Sequence, residues 1–211
     1  MNTDLTDAEW VWVADLFERP GGRGTPPKYA RKQMVDACLY IVRTGCAWRL
    51  LPKRFPPWHG VYKAFSRWAA AGVFAAMHDR LRQRWRHRVG RDPKPTAAII
   101  DAQSTRGTAQ GGMTGFDAGR KVKGRQRHLV VDTLGLLLAL RVTSASVQNR
   151  VAAAPVVAQA MAKAPGLRKL CTDGADGGQC ARAIETAHPT RAVEVVRHPG
   201  NRRTGTWQDA R

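Results

Sequence analysis

The spacing of apolar residues changes near residue 95, and this change limits the folds open to the chain. Before it, apolar residues recur every three or four positions, as in amphipathic helices; after it, short apolar runs and alternation are typical of strands. The sequence Gly90-Arg91-Asp92-Pro93-Lys94-Pro95 predicts a linker at residues 91–96. We therefore predict an all-helical domain at 1–90, followed by a mixed-sheet α+β or α/β domain at 97–211.

Four helices are predicted in the first domain. Thr6 and Glu9 form a capping box ahead of the first helix, and the second helix extends from about Tyr29 to Thr44, with Gly45 as its stop. Arginines from Arg80 to Arg88 surround the fourth helix outside its apolar face. The apolar faces predicted for the first, third and fourth helices are Trp10, Val13, Leu16 and Phe17; Val61, Phe65 and Trp68; and Phe74, Met77, Leu81 and Trp85.

Strands alternate with one helix in the second domain. A short buried strand ends at Asp101, and the segment from Gly107 to Gly119 is predicted to be a flexible loop. A helix is predicted to begin at Pro155, because proline suits the first turn. The remaining predicted elements are strands at Lys121–Asp132 and Leu136–Thr143, which form a hairpin, and a strand that ends at Asp173.

Two aspartates follow apolar runs, Asp101 after Ala97–Ile100 and Asp173 after Leu167–Thr172. If a right-handed crossover joins their strands, the strands are parallel and the two carboxylates meet at one edge of the sheet. Asp132 ends an antiparallel strand and should lie at the opposite edge. The alternative, that Asp101 and Asp173 are only capping or turn residues, remains open.

Two close carboxylates repel each other, and a hard divalent cation relieves that repulsion. Mg²⁺ (or Mn²⁺) bound between them would support phosphoryl transfer. A row of four cations is predicted on one face of the long strand, starting near Asp101, where a phosphate backbone would pass; a merely solvated face is the alternative. The row comprises Lys121, Lys123, Arg125 and Arg127.

The formal charge of +19 is spread along the chain, which favours nucleic acid as the partner. A basic protein that binds RNA in a ribonucleoprotein is an alternative. The four cysteines form no C-x-x-C pair, so a structural zinc site is not expected. We expect instead that the protein resides in a reduced intracellular compartment. Apolar runs are too short to cross a membrane, so we expect a cytoplasmic protein.

Five segments of this chain resemble bacterial insertion-sequence transposases of the DDE class. The resemblance implies a helical N-terminal DNA-binding domain and an RNase H-like catalytic domain that cuts and joins DNA. Two aspartates and a glutamate hold Mg²⁺ in that family; Asp101 matches the first acid and Asp173 the second. The segments are Thr6–Trp10, Arg43–Pro52, Phe55–Trp58, Ile99–Ser104 and Lys121–His128.

The resemblance also implies partners and further site residues. Double-stranded DNA is the expected partner, as the terminal repeats of the element and as target DNA, bound by a homo-oligomer in the bacterial nucleoid. Residues 58–69 and the Arg80–Arg88 helix are candidates for reading the repeats. The Ser104 hydroxyl is expected to support Asp101 or a phosphate. The residues expected to contact DNA are Lys63, Arg67, the four cations of the row and His128, for which a structural histidine is the equal alternative.

The chain departs from the family pattern at three places. Asp176 stands where the family usually has tyrosine, and Asn149 where it often has aspartate. No Arg-Trp-x-x-Glu-Arg motif carries the third acid, and the only glutamates after Asp173 are Glu185 and Glu194. We therefore expect a chain that is truncated before the third acid or completed by frameshifting. Whether it is active alone stays open, and the alternative is a non-catalytic DNA-binding inhibitor of transposition.

Overall fold

The computed structural model describes residues 4–18, 28–107, 112–173 and 177–196; the side chain of Asp173 and the whole of Asp176 lie outside that description. The chain divides into two compact units, Met1–Arg91 and Asp92–Arg211. Each unit has its own buried core. Within the described residues, no helix has both the length and the apolar character that crossing a membrane requires.

Unit 1 is helical. The predicted capping box is present, since Thr6 N donates to Glu9 Oε2 at 2.7 Å and Glu9 N donates to Thr6 Oγ1 at 3.2 Å. The first predicted helix is instead two short helices, because the backbone leaves the helical conformation at Val13, whose φ is −133°. The helices are α1 (Asp7–Val11), α2 (Ala14–Phe17), α3 (Arg31–Thr44), a 3-10 turn (Trp48–Leu50), α4 (Trp58–Ala70) and α5 (Val73–Arg88).

The core of unit 1 is rich in aromatic residues. Phe17 packs edge-on against Trp68, with ring centroids 4.9 Å apart. The predicted inward face of α5 is wrong at its last turn, where Trp85 is 50% exposed while Arg82 and Arg86 are only 3% and 5% exposed. The aliphatic part of an arginine side chain can pack like an apolar residue. A prediction that counts only apolar residues therefore misses buried arginines.

The described part of unit 2 contains one mixed sheet and two helices. Its strands lie in the order β2-β3-β1-β5-β6, and β4 also pairs with β3. β3 is antiparallel to β1, β2 and β4, whereas β5 is parallel to β1 and β6 to β5. A helical region followed by a mixed sheet confirms the predicted RNase H-like fold class. The elements are β1 (Ala97–Arg106), β2 (Gly115–Asp117), β3 (Val122–Asp132), β4 (Leu137–Ser144), α6 (Asn149–Lys163), β5 (Lys169–Asp173), α7 (Gly177–Ala187) and β6 (Ala192–Val196).

Three predicted boundaries differ from the structure. β1 continues for five residues beyond Asp101, because Ala102–Arg106 pair with β3. The predicted loop contains the short strand β2, which pairs with the start of β3. α6 begins at Asn149 rather than at Pro155, which lies inside the helix. Buried alanines in the first turns of α6 extend its packed face and explain the earlier start.

The two faces of β1 have different surroundings. On the inner face, Ala98 and Ile100 belong to a core that also contains Val156 and Val157 of α6. On the outer face, alternation places Ile99, Asp101 and Gln103, and Ile99 is 42% exposed. Residues opposite each other in an antiparallel ladder share a face of the sheet. Leu129 and Arg127 of β3, which pair with Asp101 and Gln103, therefore also lie on the outer face.

Candidate active site

Asp101 lies on the outer face of β1, in the middle of the strand, and is exposed. One of its carboxylate oxygens, Oδ1, accepts a hydrogen bond of 2.7 Å from the backbone N–H of Ala102. Within the described part of the chain, the Asp101 carboxylate has no cationic partner. An exposed carboxylate without an ion pair retains oxygen lone pairs that can bind a cation.

The backbone of β5 brings position 173 next to position 101. The two strands are parallel, and their register pairs Ile99 with Cys171 and Ile100 with Thr172. The next position along both strands is therefore Asp101 on β1 and Asp173 on β5. The expected juxtaposition is present at the level of the backbone, although Asp101 is not at a strand end.

Asp132 has a different environment from Asp101. It is fully buried at the end of β3, opposite Ala98. Its Oδ1 accepts hydrogen bonds of 2.9 Å from the backbone N–H groups of Leu134 and Leu136. Asp132 therefore closes the turn between β3 and β4, in the hairpin where the sequence predicts it.

The basic row differs from the prediction in extent and direction. Lys123, Arg125 and Arg127 alternate along β3, whereas Lys121 precedes the strand and has a φ of +53°. Arg127 lies opposite Gln103, two positions from Asp101 on the same face. The row therefore ends near Asp101 at Arg127 instead of starting there, and Lys123 lies about 13 Å beyond Arg127 along the strand.

His128 lies on the inner face of β3 and is only 2% exposed. Its Nε2 is 3.0 Å from the Thr143 hydroxyl. Burial lowers the pKa of His128, and the positive charges of Arg141 and Arg120 lower it further. This environment agrees with the alternative interpretation of His128 as a structural histidine.

Ser104 supports Asp117 rather than Asp101. Its hydroxyl donates a hydrogen bond of 2.6 Å to Asp117 Oδ2, and Arg120 Nη1 donates to the same hydroxyl at 3.4 Å. The backbone N–H of Arg120 also donates to Asp117 Oδ1 at 3.0 Å. Although burial opposes it, the hydrogen bonds from Ser104 and Arg120 and the charge of Arg120 hold the pKa of Asp117 below its usual value.

Arg120 and Asn149 each line two cavities of unit 2. The smaller cavity, of about 50 Å³, also contacts Asp101, His128 and Thr172. The larger is an open groove of about 720 Å³ that extends to the start of α7. The Asn149 amide accepts a hydrogen bond of 2.7 Å from Gln126 Nε2. Arg120 and Asn149 therefore lie where the groove and the small cavity beside Asp101 adjoin.

Arg120 is a candidate site residue that sequence reasoning missed. It directly follows the segment Gly107 to Gly119, which the sequence predicts to be a flexible loop. The signal that could have identified it is the sequence Asp117-Ala118-Gly119-Arg120, because aspartate three residues before a potential donor, with glycine between them, is typical of a hydrogen-bonded turn.

Lys63 and Arg67 are exposed on α4, one helical turn apart. They line a groove of about 310 Å³ together with Lys28 and Arg31, which precede and begin α3. Met34 and Ala64 lie at its base. We call this the basic groove; sequence reasoning found two of its four cations.

No group of three candidate metal ligands occurs among the residues that the structure describes. Glu185 is exposed on α7. Glu194, on β6, forms an ion pair with Lys169 of β5, and this interaction raises the pKa of Lys169. Among the described residues, neither glutamate stands with Asp101 in a group of three candidate metal ligands.

Two family models match the chain. Residues 5–78 match the model for the IS4/5-family transposase (DUF4096), and residues 92–209 match the model for the transposase DDE domain. An uncharacterized protein of Sinorhizobium fredii (strain NBRC 101917 / NGR234), y4sN, is 32% identical over 77 residues, which cover 35% of this chain. The chain spans 58% of the length of that curated relative. No solved structure matches the chain.

Proposed function

Because the chain belongs to the DDE transposase family, we propose that it cleaves and joins DNA at the ends of its insertion sequence in a reaction that depends on Mg²⁺ or Mn²⁺. Enzymes of this family transfer phosphoryl groups of DNA, and their DDE domains generally use divalent metal ions. In this chain Asp101 and Asp173 supply the carboxylates, and the outer face of β1 and β3 receives the DNA.

The single observation that carries the proposal is the parallel register of β1 and β5, which makes positions 101 and 173 neighbours. The donor set fits the cation, since Mg²⁺ takes one or two protein carboxylates and completes its shell with water and phosphate oxygens. The exposed carboxylate of Asp101, held by only one backbone N–H, is consistent with such a role. When bound, the metal activates the attacking oxygen and stabilises the leaving one.

The cations of the outer face have a distinct part in the reaction. Arg127 and Arg125 lie on the face of Asp101, so their charges favour a phosphate backbone that passes along β3. We assign Lys123, Arg125 and Arg127 to this contact and leave His128 out, because it is buried. Binding and positioning by these side chains hold the scissile phosphate near Asp101.

The test replaces Asp101 by Asn, which keeps the shape of the side chain and removes its charge. We expect Asp101→Asn to abolish metal-dependent cleavage of a duplex that carries the ends of the element, while the dissociation constant for that duplex changes less than about threefold. Cleavage is measured on gels and binding by fluorescence anisotropy. Glu185→Gln, an exposed carboxylate change on α7, is the matched control and should cleave like the original chain.

Two results would contradict the proposal. Cleavage at the original rate in Asp101→Asn would remove Asp101 from the reaction. Specific binding without any cleavage by the original chain, in Mg²⁺ or Mn²⁺, would refute the proposed catalytic function and leave a DNA-binding protein.

A further inference from the structure

Hydrogen bonds attach Arg120 to β1, the strand that carries Asp101. Ser104 lies three residues after Asp101 on this strand. Its hydroxyl donates to Asp117 Oδ2 at 2.6 Å and accepts from Arg120 Nη1 at 3.4 Å. Asp117 Oδ1 in turn accepts a hydrogen bond of 3.0 Å from the backbone N–H of Arg120. Both the backbone and one end of the side chain of Arg120 are therefore tied to the candidate site.

These contacts do not neutralise the charge of Arg120. In the described part of the chain, its guanidinium forms no ion pair with a carboxylate and donates only the hydrogen bond to Ser104. Arg120 is also exposed. The other N–H groups of the guanidinium are therefore available to an anion, and a phosphate oxygen is an acceptor that suits them.

Arg120 lies beside Asp101 on the side of α6. Both residues line the small cavity, together with Asn149 of α6. As far as the structure describes the two strands, β1 pairs with β5 only up to Ile100 and Thr172, so the edge of β1 is open from Asp101 onward. A phosphate that enters the cavity at this open edge would lie between Asp101 and Arg120.

The open groove next to the small cavity favours negative charge. Arg120 and Asn149 line both spaces. The first turns of α6 and α7 border the groove, and neither turn contains an acidic residue. The N-terminus of a helix carries a partial positive charge. Asp117, the acid that the described wall of the groove contains, is hydrogen-bonded to Ser104. The groove can therefore accommodate the DNA strand that continues from the cavity.

We infer that Arg120 binds the scissile phosphate, which is the phosphodiester at the junction of the insertion sequence and its flanking DNA. This inference rests on the proposed function for its choice of DNA, and it adds a residue that contacts the reacting group from the side of α6. The basic row lies on the outer face and contacts the backbone along β3. Asp117 and Ser104 act through Arg120 and are positioning residues.

The test measures whether the effect of Arg120 depends on the charge of one phosphate. Two duplexes carry an end of the element with its flank, and in one of them a neutral methylphosphonate replaces the scissile phosphate. Dissociation constants are measured by fluorescence anisotropy without divalent metal, so no strand is cut. We expect the methylphosphonate to raise the dissociation constant about tenfold more for the original chain than for Arg120→Ala.

Three further variants distinguish a phosphate contact from a structural role. Arg182→Ala, which removes an exposed arginine of α7 outside the groove, should respond to the methylphosphonate like the original chain. Arg120→Lys retains the charge without the planar guanidinium, so the effect should fall to about threefold. Asp117→Ala retains the guanidinium but releases the backbone of Arg120, and the effect should fall in the same way. Circular dichroism verifies folding, and the last two variants replace Arg120→Ala if that variant does not fold.

A duplex with the methylphosphonate one helical turn away from the junction is the control for position. An equal effect at this position would mean that Arg120 contacts the DNA backbone generally, and it would overturn the inference. Equal effects of the junction methylphosphonate on the original chain and on Arg120→Ala would overturn it as well, while the proposed function would stand on the cleavage assay. An undiminished effect in Asp117→Ala would remove Asp117 as a positioning residue.

The outcomes for the inference and for the proposed function are separable. If the expected dependence on Arg120 is found but the original chain cleaves no DNA in Mg²⁺ or Mn²⁺, the phosphate contact stands and the proposed catalytic function is refuted. If the original chain does not bind the duplex with the element's end, both are overturned.

Discussion

At the scale of single residues, the surroundings of a carboxylate determine what it can do. Asp132 is buried, and its Oδ1 accepts hydrogen bonds from two backbone N–H groups of the turn that follows β3. This carboxylate therefore stabilises the turn. Asp117 is committed to Ser104 and to the backbone of Arg120. Asp101 is exposed and accepts one backbone hydrogen bond. Among these three acids, Asp101 has the most capacity for a ligand.

The lowered pKa of His128 leads to a prediction about how the stability of the fold depends on pH. Its pKa in the folded chain lies below the unfolded value, so the stability that its neutral form contributes is fully present above about pH 6.5 and is lost as the pH falls through the folded pKa. In His128→Gln we expect the free energy of unfolding to decrease less between about pH 8 and about pH 5 than in the original chain.

Urea titrations at several pH values measure this effect. The control is Gln83→Ala, an exposed change on α5 that removes no titratable group and should retain the original pH dependence. An unchanged pH dependence in His128→Gln would show that this histidine does not link protonation to unfolding.

At the scale of helices and strands, two glycines of unit 1 are expected to respond to the same substitution in opposite ways. Gly45 ends α3 with a φ of +66°, which an L-residue adopts at a cost of about 1 kcal/mol. Gly60 is inside α4 and has open space at its Cβ position, so alanine should stabilise the helix by up to about 1 kcal/mol. We expect Gly45→Ala to lower, and Gly60→Ala to raise, the denaturant midpoint of unit 1, measured by tryptophan fluorescence. A shift in the same direction for both would contradict the assigned backbone conformations.

The elements that carry an apolar period were predictable from the sequence. α3 and α4 have buried residues at helical spacing, among them Ala37 and Cys38 of α3, and the predicted face of α4 is confirmed at Val61 and Trp68. The capping box and Gly45 marked boundaries correctly because each satisfies backbone groups locally.

Elements that long-range pairing stabilises were not predictable in the same way. The second half of β1 and the short strand β2 have polar or glycine-rich sequences, and both form because β3 supplies hydrogen-bonding partners. The same limit applies to the candidate site: the neighbouring positions of Asp101 and Asp173 followed from topology, but the inward turn of His128 and the contact of Ser104 with Asp117 depend on the exact register.

At the scale of the whole molecule, the two units have separate cores. Val35 belongs to the core of unit 1 and Val156 to that of unit 2, and both are fully buried. Replacing either by Ala should destabilise its own unit by roughly 2 kcal/mol. We expect Val35→Ala to accelerate amide hydrogen exchange in α3 and α4 but not in β1 and β3, and Val156→Ala to have the reverse effect.

Hydrogen exchange followed by mass spectrometry measures this separation, and each variant serves as the control for the other. Faster exchange throughout the chain in either variant would mean that the two cores unfold as one cooperative body.

The parallel pairing of β1 with β5 has a consequence for how such a chain can change over time. Backbone hydrogen bonds between two adjacent strands set the spacing of positions 101 and 173, whatever the length of the polypeptide that connects them. Insertions or deletions in the connecting turns can therefore accumulate without altering the separation of the two backbone positions, so the proposed reactive centre tolerates diversification of the surface around it.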